Sequence, residues 1–453
     1  METTEFTDMD QTTIAPEKPI YLATDPLSFG RPPSILRMFV EFMLYAVILN
    51  SLFPELTGLS KIRYMTAGTV MVAGFVSLLI ILAIREPLPG SVWFAIGINF
   101  FANFSQVVAH GATPIISEGL AVQSHWLSFL IMICFVVRNH AAEKRVIVFF
   151  VLMIILAVAK GGIAGALEEY RLRLVGVAPG FGQPNSLAHM AALFAAASLF
   201  WSLRSGKLIK PLIWLMAGAM VVIMLSTISR GAVLTFGCSC LVLIVTIMMG
   251  KGVRAPGIIL VIIAVVAVMQ FGYLLSRQTE YLQQRYTRAT IRARLGVYSP
   301  RMLGELWETK FFGRGAHDPL TRTTGVSAHN VFLHSHLVFG GMTGWTYLLW
   351  LLYLARRIFK MFRAKDLPLD IKMQVLALFG MSLGSQLQSN QFHLLYSSVF
   401  ATAIIEKYTS IYSRRSMRKQ QAAWDEYETY LMPLEGQDPE ALSPDDSQLT
   451  GYH

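Results

Sequence analysis

The sequence has few charged residues and few cysteines. Only 15% of its 453 residues are Asp, Glu, Lys or Arg, whereas a soluble protein of ordinary composition contains about 25%. A chain of this length therefore lacks the charged surface that a soluble globular protein needs. The three cysteines, Cys134, Cys238 and Cys240, lie within apolar stretches. Cys238 and Cys240 point to different sides of one predicted helix, so no disulfide bond is expected between them.

The beginning of the sequence has no apolar leader. Residues 1–34 are polar, contain proline and include no apolar run of the signal-peptide type. We therefore expect no cleavable signal peptide, and we expect residues 1–34 to form a disordered tail. Residues 420–453 combine three prolines with Asp and Glu, which predicts a second disordered tail within 411–453.

Apolar runs of about 20 residues are abundant, and each is long enough to cross a bilayer as a helix. Apolar residues make up 54% of the chain. The predicted fold is an all-α polytopic membrane protein with about twelve transmembrane helices, in one domain over 35–410. The predicted spans are 35–53, 64–84, 91–109, 121–138, 145–160, 185–203, 211–228, 231–249, 256–275, 329–354, 371–389 and 391–409.

Basic residues in the short loops predict the orientation, because such residues favour the cytoplasmic side. The N-terminus and the C-terminal tail are then cytoplasmic, and 276–328 is a large outer loop between the ninth and tenth spans. Loop charge and this topology account for the net charge of +10, so we expect no nucleic-acid partner. The inner loops hold Arg85, Arg138, Lys144, Arg145, Arg204, Lys207, Lys210, Lys251, Arg254, Arg356, Arg357, Lys360, Arg363, Lys365 and Lys372.

The outer loop 276–328 is rich in arginine. It carries eight Arg and one Lys against four acidic residues. We expect short helices in this loop, and in a helix Arg285, Arg288 and Arg292 would share one face. A cationic pocket at a membrane surface suits the diphosphate of a lipid-linked substrate.

Arg230 lies in a predicted outer turn that holds no other charge. Its guanidinium group is always protonated, and its planar fork fits two phosphate oxygens at once. The alternative is a side chain that extends from the membrane boundary to water without binding anything.

His329 and Asn330 open the predicted tenth span, directly after the arginine-rich loop. An imidazole can accept a hydroxyl proton near neutral pH, and nearby arginines favour its neutral form. A purely structural histidine is the alternative. His336 lies seven residues later on roughly the same face, as a supporting or a packing residue. Together with His334 these histidines share no single helix face and have no carboxylate beside them, so we expect no metal site.

Other residues of the predicted spans have packing alternatives. Glu41 is an acid within the first span with no evident partner. Gly380 and Gly384 in the eleventh span predict close helix contact. The polar residues at or near outer helix ends suit either sugar hydroxyls or contacts between helices; they are Asn185, Gln386, Gln388, Asn390, Gln391 and His393.

Two of these motifs together resemble those of the O-antigen ligase family. Arg230-x-x-x-Leu234 is similar to the first, and His329-Asn330 followed by Gly340-x-x-Thr343 is similar to the second. The family usually has Trp where Tyr298 stands. The order matches over about 170–345, where similar weaker blocks are Gly182-Gln183-Pro184-Asn185, Arg294 before Tyr298, and Gly313-x-Gly315.

The resemblance implies a glycosyltransferase of lipopolysaccharide biosynthesis in the inner membrane of Gram-negative bacteria. Such an enzyme moves a glycan from undecaprenyl diphosphate to a hydroxyl of lipid A–core on the periplasmic face, without metal or cofactor. Carried over, His329 is the general base or the residue that positions the acceptor, and Arg230 and Arg294 bind the diphosphate. Arg288 and Arg292 are second choices, placed by their charge.

Two alternatives remain open at the level of the sequence. An O-antigen or exopolysaccharide polymerase would have similar motifs but would use a second lipid-linked glycan as acceptor. A transporter of an anionic lipid-linked substrate would also need arginines in a membrane cavity. Transporters often contain inverted repeats and broken helices at the midplane, and the sequence shows neither feature.

Overall fold

A computed structural model describes the helical part of the chain. The described residues are 35–53, 65–84, 88–111, 126–162, 172, 184–227, 229–251, 300–313, 331–363, 367–386 and 398–410. Every regular element in these ranges is a helix. In chain order the helices are α1 (Ile35–Leu52), α2 (Met65–Ala83), α3 (Gly90–His110), α4 (Trp126–Val136), α5 (His140–Ala157), α6 (Pro184–Leu203), α7 (Lys210–Ser226), α8 (Arg230–Lys251), α9 (Pro300–Glu308), α10 (Val331–Phe339), α11 (Gly341–Arg363), α12 (Leu369–Gln386) and α13 (398–410).

The helices agree with the predicted spans in position. Each predicted span overlaps a described helix except 256–275, which lies outside the described residues. Four of the described helices, α1, α3, α6 and α8, are long and apolar enough to cross a membrane by length and composition. The described part of the chain is thus all-helical and contains four helices of the kind that crosses a membrane, and the number of twelve crossings stays a prediction.

One predicted span is divided into two helices. Gly340 has φ 93°, in the left-handed region that glycine adopts without a steric penalty. This conformation ends α10 at Phe339, and α11 begins at Gly341 and continues to Arg363. The prediction of a single helix over 329–354 is therefore wrong, because its apolar composition runs unbroken through a backbone turn.

Helix α10 turns back along α11. The ring of Phe332, near the start of α10, lies 5.4 Å from the ring of Tyr347. Gly344 lies against the backbone of His336, because a Cβ added to this glycine would be 3.4 Å from the His336 Cα. The two helices form an antiparallel hairpin with Gly340 at its tip. The start of α10 consequently lies beside the second turn of α11 and not beside its first residue.

Ion pairs join several helices at one end of the bundle. The Arg145 Nε lies 2.8 Å from a Glu41 carboxylate oxygen, and the Arg204 Nε lies 2.7 Å from an Asp370 oxygen. Arg357 pairs with Glu406 at 3.0 Å, and the buried Lys407 pairs with the buried Glu143. We call this the ion-pair end; it is defined by Glu41, Glu143, Arg145, Arg204, Arg357, Asp370, Glu406 and Lys407.

The helices alternate in direction between the ion-pair end and the opposite end. Helix α6 finishes next to Arg204, and α12 starts at this end with Asp370 near its first residue. Close contact of Gly384 with Thr235 joins the last turn of α12 to the second turn of α8. Helix α8 therefore begins at the opposite end. This alternation agrees with the predicted topology, since Arg145, Arg204 and Arg357 were all assigned to inner loops.

Helix α6 is the central helix of the bundle. About 83% of the apolar stretch Pro184–Leu203 is buried inside the protein. Its small residues, including Ala191, Ala192 and Ala195, let neighbouring helices approach closely. The Phe194 ring stacks on the Phe150 ring at 4.7 Å and lies 5.0 Å from the Phe400 ring. Helix α6 thus connects α5 and α13 and carries Asn185 at the opposite end.

Candidate functional site

Arg230 is the first residue of α8, at the opposite end. The chain reverses direction between Ser226 and Arg230, and the Thr227 hydroxyl stabilises this turn by donating to the Met224 carbonyl at 2.6 Å. The buried Ser229 accepts the first helical hydrogen bond, from the Val233 N–H at 3.1 Å. The N-terminus of a helix carries partial positive charge and free N–H groups. A guanidinium at this position adds a full positive charge to an end that already favours anions.

The connection between α5 and α6 contacts this turn. The backbone N–H of Leu172 donates to the Ser226 carbonyl at 2.9 Å, and the Leu172 side chain is buried. Leu172 belongs to the connection between α5 and α6, which also leads to Asn185 near the start of α6. The α5–α6 connection therefore meets the predicted outer turn where α8 begins.

The polar residues Asn185 and Gln386 lie at the same end. Asn185 is half-buried, one residue after the start of α6. Gln386 is buried at the end of α12, and its amide donates to the hydroxyls of Ser382 at 3.1 Å and Ser398 at 3.0 Å. Gln386 thus joins α12 to α13, which favours the packing interpretation for this residue.

His336 fastens α9 to the hairpin. Its Nε2 lies 2.8 Å from the Leu306 carbonyl, so Nε2 carries the proton and donates it. The Gly341 N–H also donates to the Thr309 carbonyl at 3.2 Å. A side chain on Gly313 would overlap the Val338 carbonyl. Absence of a side chain at this glycine is therefore what lets the segment after α9 lie on the hairpin tip.

Helix α3 holds the hairpin tip from another direction. The Gln106 amide donates to the Val338 carbonyl at 2.6 Å, and the Ser105 hydroxyl donates to the Phe339 carbonyl at 2.9 Å. These bonds satisfy carbonyls that a helix C-terminus leaves without partners inside the helix. The position of α10 is accordingly fixed by α3, α9 and α11 together.

The structure brings the described elements of the predicted site to one end of the molecule. Arg230 and Asn185 begin helices there, and His336 lies in the hairpin. For Arg230 the structure describes the position in the helix and not the side-chain contacts. Their roles in binding or catalysis stay predictions. The other predicted site residues lie outside the described residues; they are His329, Asn330, Arg288, Arg292 and Arg294.

No protein-family model matches the sequence, and no curated protein matches it. The candidate site therefore depends on the residues and contacts described above. Its strongest structural element is the shared position of α8, α6 and the hairpin at the opposite end.

Sequence reasoning missed the partners of the acidic residues within the spans. Glu41, for which no partner was evident, accepts two hydrogen bonds from Arg145, each of 2.8 Å, and one from the Tyr45 hydroxyl at 2.7 Å. A signal was available, because Arg145 starts a predicted span at the same membrane face where Glu41 lies. Matching acids and bases by predicted depth would have found this pair.

Proposed function

We propose that the protein is an undecaprenyl-diphosphate-dependent glycosyltransferase of the O-antigen ligase type. The observation that carries the proposal is the common location of Arg230, Asn185 and the α10–α11 hairpin at the end opposite the ion pairs. The motif residues are far apart in the sequence, so a shared end is the arrangement that a single site requires. His329 precedes α10 by two residues, and the proposal includes it in this site.

In the proposed reaction, Arg230 and Arg294 bind the diphosphate of the donor, with Arg288 and Arg292 as further cations. Neutralising the diphosphate makes undecaprenyl diphosphate a better leaving group. Removal of one such arginine should cost about 3 kcal/mol of transition-state stabilisation, by analogy with an oxyanion donor. The cations do here the electrostatic work that a metal ion does in many glycosyltransferases.

His329 acts as the general base in the proposed reaction. The acceptor hydroxyl oxygen attacks the anomeric carbon, the bond from that carbon to the diphosphate oxygen breaks, and the hydroxyl proton passes to the imidazole. A positioned histidine base contributes typically about 10²- to 10⁴-fold in rate. Alignment of the two lipid-linked substrates supplies much of the remainder. A single displacement inverts the configuration at the anomeric carbon.

The proposed acceptor is a hydroxyl of lipid A–core at the periplasmic face of the bacterial inner membrane. The ion-pair end is then cytoplasmic, in accordance with the bias of basic residues towards that side. The twelve crossings and the arginine-rich loop 276–328 on the periplasmic side complete this arrangement. Asn330, Asn185 and His336 are proposed to support the site or to contact the sugar.

The decisive experiment is reconstitution of the purified protein with undecaprenyl-diphosphate-linked glycan. One reaction receives lipid A–core, a second receives only more donor, and a third receives sealed vesicles with donor in one leaflet. Glycosylated lipid A–core supports the ligase, and a lengthened lipid-linked glycan would instead show a polymerase. Movement of donor between leaflets without a new glycosidic bond would identify a transporter and contradict the proposal.

Two variants test the assigned residues in the same assay. His329→Ala should abolish transfer but retain donor binding, with His140→Ala at the ion-pair end as the matched histidine control. Arg230→Lys should weaken transfer strongly because lysine loses the bidentate fork, with the exposed Arg356→Lys as control. Full transfer by His329→Ala would disprove the assignment of the base. Transfer should also continue in EDTA.

A further inference from the structure

Three exposed aromatic side chains lie on the segment that leads from α9 to the hairpin tip. Trp307 is 70% exposed, Phe311 is 60% exposed and Phe312 is 50% exposed. We call Trp307, Phe311 and Phe312 the aromatic patch. Contiguous apolar surface of this kind marks a site of contact with a membrane or with another molecule.

The aromatic patch is presented by a backbone that is held on both sides. The His336 Nε2 donates to the Leu306 carbonyl of α9, and the Gly341 N–H donates to the Thr309 carbonyl. After the patch, the buried Gly313 lies directly against the Val338 carbonyl. The patch is therefore part of the same rigid assembly as the hairpin tip, and any contact that fixes the patch also fixes the hairpin.

Lys310 lies within the aromatic patch. Its Nζ is 4.1 Å from the centroid of the Trp307 ring and 5.7 Å from that of the Phe311 ring. A lysine above aromatic faces gains a cation–π interaction and keeps its ammonium group available to anions. Aromatic rings beside a lysine are the composition of the water–lipid interface, where rings sit at the headgroup level and ammonium groups meet phosphates.

The position of the patch relative to the spans fits that interface. The hairpin tip contacts α3 at Ser105 and Gln106, in the last two turns of a helix that is long and apolar enough to cross a membrane. Exposed apolar side chains also lie on the parts of α3 and α11 that flank the hairpin tip. These are Phe104 at 58%, Met342 at 60% and Trp345 at 64% exposure.

We propose that the aromatic patch inserts into the phospholipid surface at the opposite end and sets the depth of the α10–α11 hairpin in the bilayer. The rings of Trp307, Phe311 and Phe312 lie among headgroups and upper acyl chains, and Lys310 pairs with lipid phosphate. The bilayer, and not another protein, contacts the aromatic patch, because the patch borders candidate membrane spans and combines aromatic rings with a cation. This proposal is independent of the proposed glycosyl transfer.

Fluorine NMR on the intact protein tests the location of Trp307. The protein is labelled with 5-fluorotryptophan and placed in nanodiscs of phosphatidylcholine and phosphatidylglycerol, and Trp307→Phe assigns the Trp307 resonance. Lipids with a nitroxide at the headgroup or upper chain should broaden this resonance, whereas a water-soluble gadolinium chelate should affect it several-fold less. The fully buried Trp350 is the reference that neither agent should reach. Broadening by the chelate alone would place Trp307 in water, and protection from both agents would indicate a protein partner; either result overturns the proposal.

A combined variant tests whether the patch sets the depth of the hairpin. In Trp307→Ser/Phe311→Ser/Phe312→Ser the substituted side chains are exposed, so the melting temperature in detergent should equal that of the wild type. The wild type should melt at a higher temperature in nanodiscs than in detergent, and the variant should lose this increase. The broadening of the Trp345 resonance by the headgroup nitroxide relative to the upper-chain nitroxide should also differ between the variant and the wild type. An unchanged Trp345 response with an unchanged melting temperature in nanodiscs would contradict the role of the patch.

Discussion

The two ends of the bundle are held together by different kinds of contact. At the ion-pair end, charged side chains from α1, α5, α6, α11, α12 and α13 pair across helices, as in the buried contact of Lys407 with Glu143. At the opposite end, the described contacts of the hairpin are glycines against backbone and side-chain donors on carbonyls. The charged residues of the ion-pair end thus stabilise contacts between helices, whereas the hairpin at the opposite end is held by close backbone contacts and hydrogen bonds.

The proposed function assigns the anionic substrate to the opposite end. At the ion-pair end an acid accompanies each base in the contacts described, so the pairs neutralise one another. At the opposite end Arg230 begins a helix, and the predicted outer loop has eight Arg and one Lys against four acids. The described helix contacts of the hairpin are made through glycine and backbone groups, and the proposal assigns the cations of this end to phosphate.

The largest expected effect comes from breaking the buried pair at the ion-pair end. Lys407→Met removes the ammonium group that pairs with the buried Glu143 carboxylate, which should destabilise the protein by about 3–5 kcal/mol. The double variant Lys407→Met/Glu143→Leu removes both charges and should recover much of that loss. Unfolding in detergent measures both, with the exposed Arg356→Gln as control. Equal stability of Lys407→Met and the wild type would show that the pair contributes nothing.

The hairpin tip should be the most sensitive part of the opposite end. Gly340→Ala introduces a side chain at φ 93° that overlaps the Phe311 carbonyl. Strain and overlap together should cost about 3 kcal/mol. The control is Gly97→Ala in α3, where an added Cβ meets nothing within 4 Å, and it should be neutral or slightly stabilising. If thermal unfolding in detergent gave the same melting temperature for both variants, the tip would have to be more adaptable than its contacts indicate.

Loss of the His336 contact should have a smaller effect. His336→Phe removes the hydrogen bond to the Leu306 carbonyl, which is worth about 1 kcal/mol net. Amide hydrogen exchange in α9 and in 309–313 should become faster, because the segment loses one of its attachments to the hairpin. His140→Phe at the ion-pair end should leave that exchange unchanged. Unaltered exchange in His336→Phe would mean that the glycine contacts alone hold the segment.

The smallest effect is expected at an exposed pair of the ion-pair end. The Arg145 side chain is 55% exposed, whereas that of its partner Glu41 is 12% exposed. Exposed ion pairs contribute about 0.2–1 kcal/mol and weaken in salt, so Arg145→Gln should destabilise little. The difference in unfolding free energy from the wild type should shrink between low and high salt. A loss as large as that of Lys407→Met would refute burial as the basis of the ranking.

The hydrophobic runs of the sequence predicted the positions of the helices along the chain. They did not predict where the backbone turns between helices or which charged residues form ion pairs. The predicted spans 35–53, 185–203 and 231–249 agree closely with α1, α6 and α8. The division at Gly340 escaped prediction because the composition on both sides is equally apolar. The neighbouring Gly340 and Gly341 were the available sign of a turn.

The prediction of close helix contact at Gly380 and Gly384 is confirmed for Gly384 alone. Gly384 lies against Thr235 of α8, whereas a Cβ added to Gly380 would meet no atom within 4 Å. Two glycines one turn apart therefore do not share a partner. For the candidate site, the sequence predicted only that motif residues far apart in the chain lie together, and it did not predict how the helices that carry them are arranged. Long-range pairs such as Arg204 with Asp370 depend on the arrangement of helices, which a single sequence does not specify.

The shortness of α10 has a consequence for biogenesis. Nine residues span about 14 Å at 1.5 Å per residue, less than half of a hydrocarbon layer of about 30 Å. The described residues of α10 therefore do not cross the layer by themselves. Because α10 packs against α3 and α11, we expect it to dock after both of these helices have been inserted.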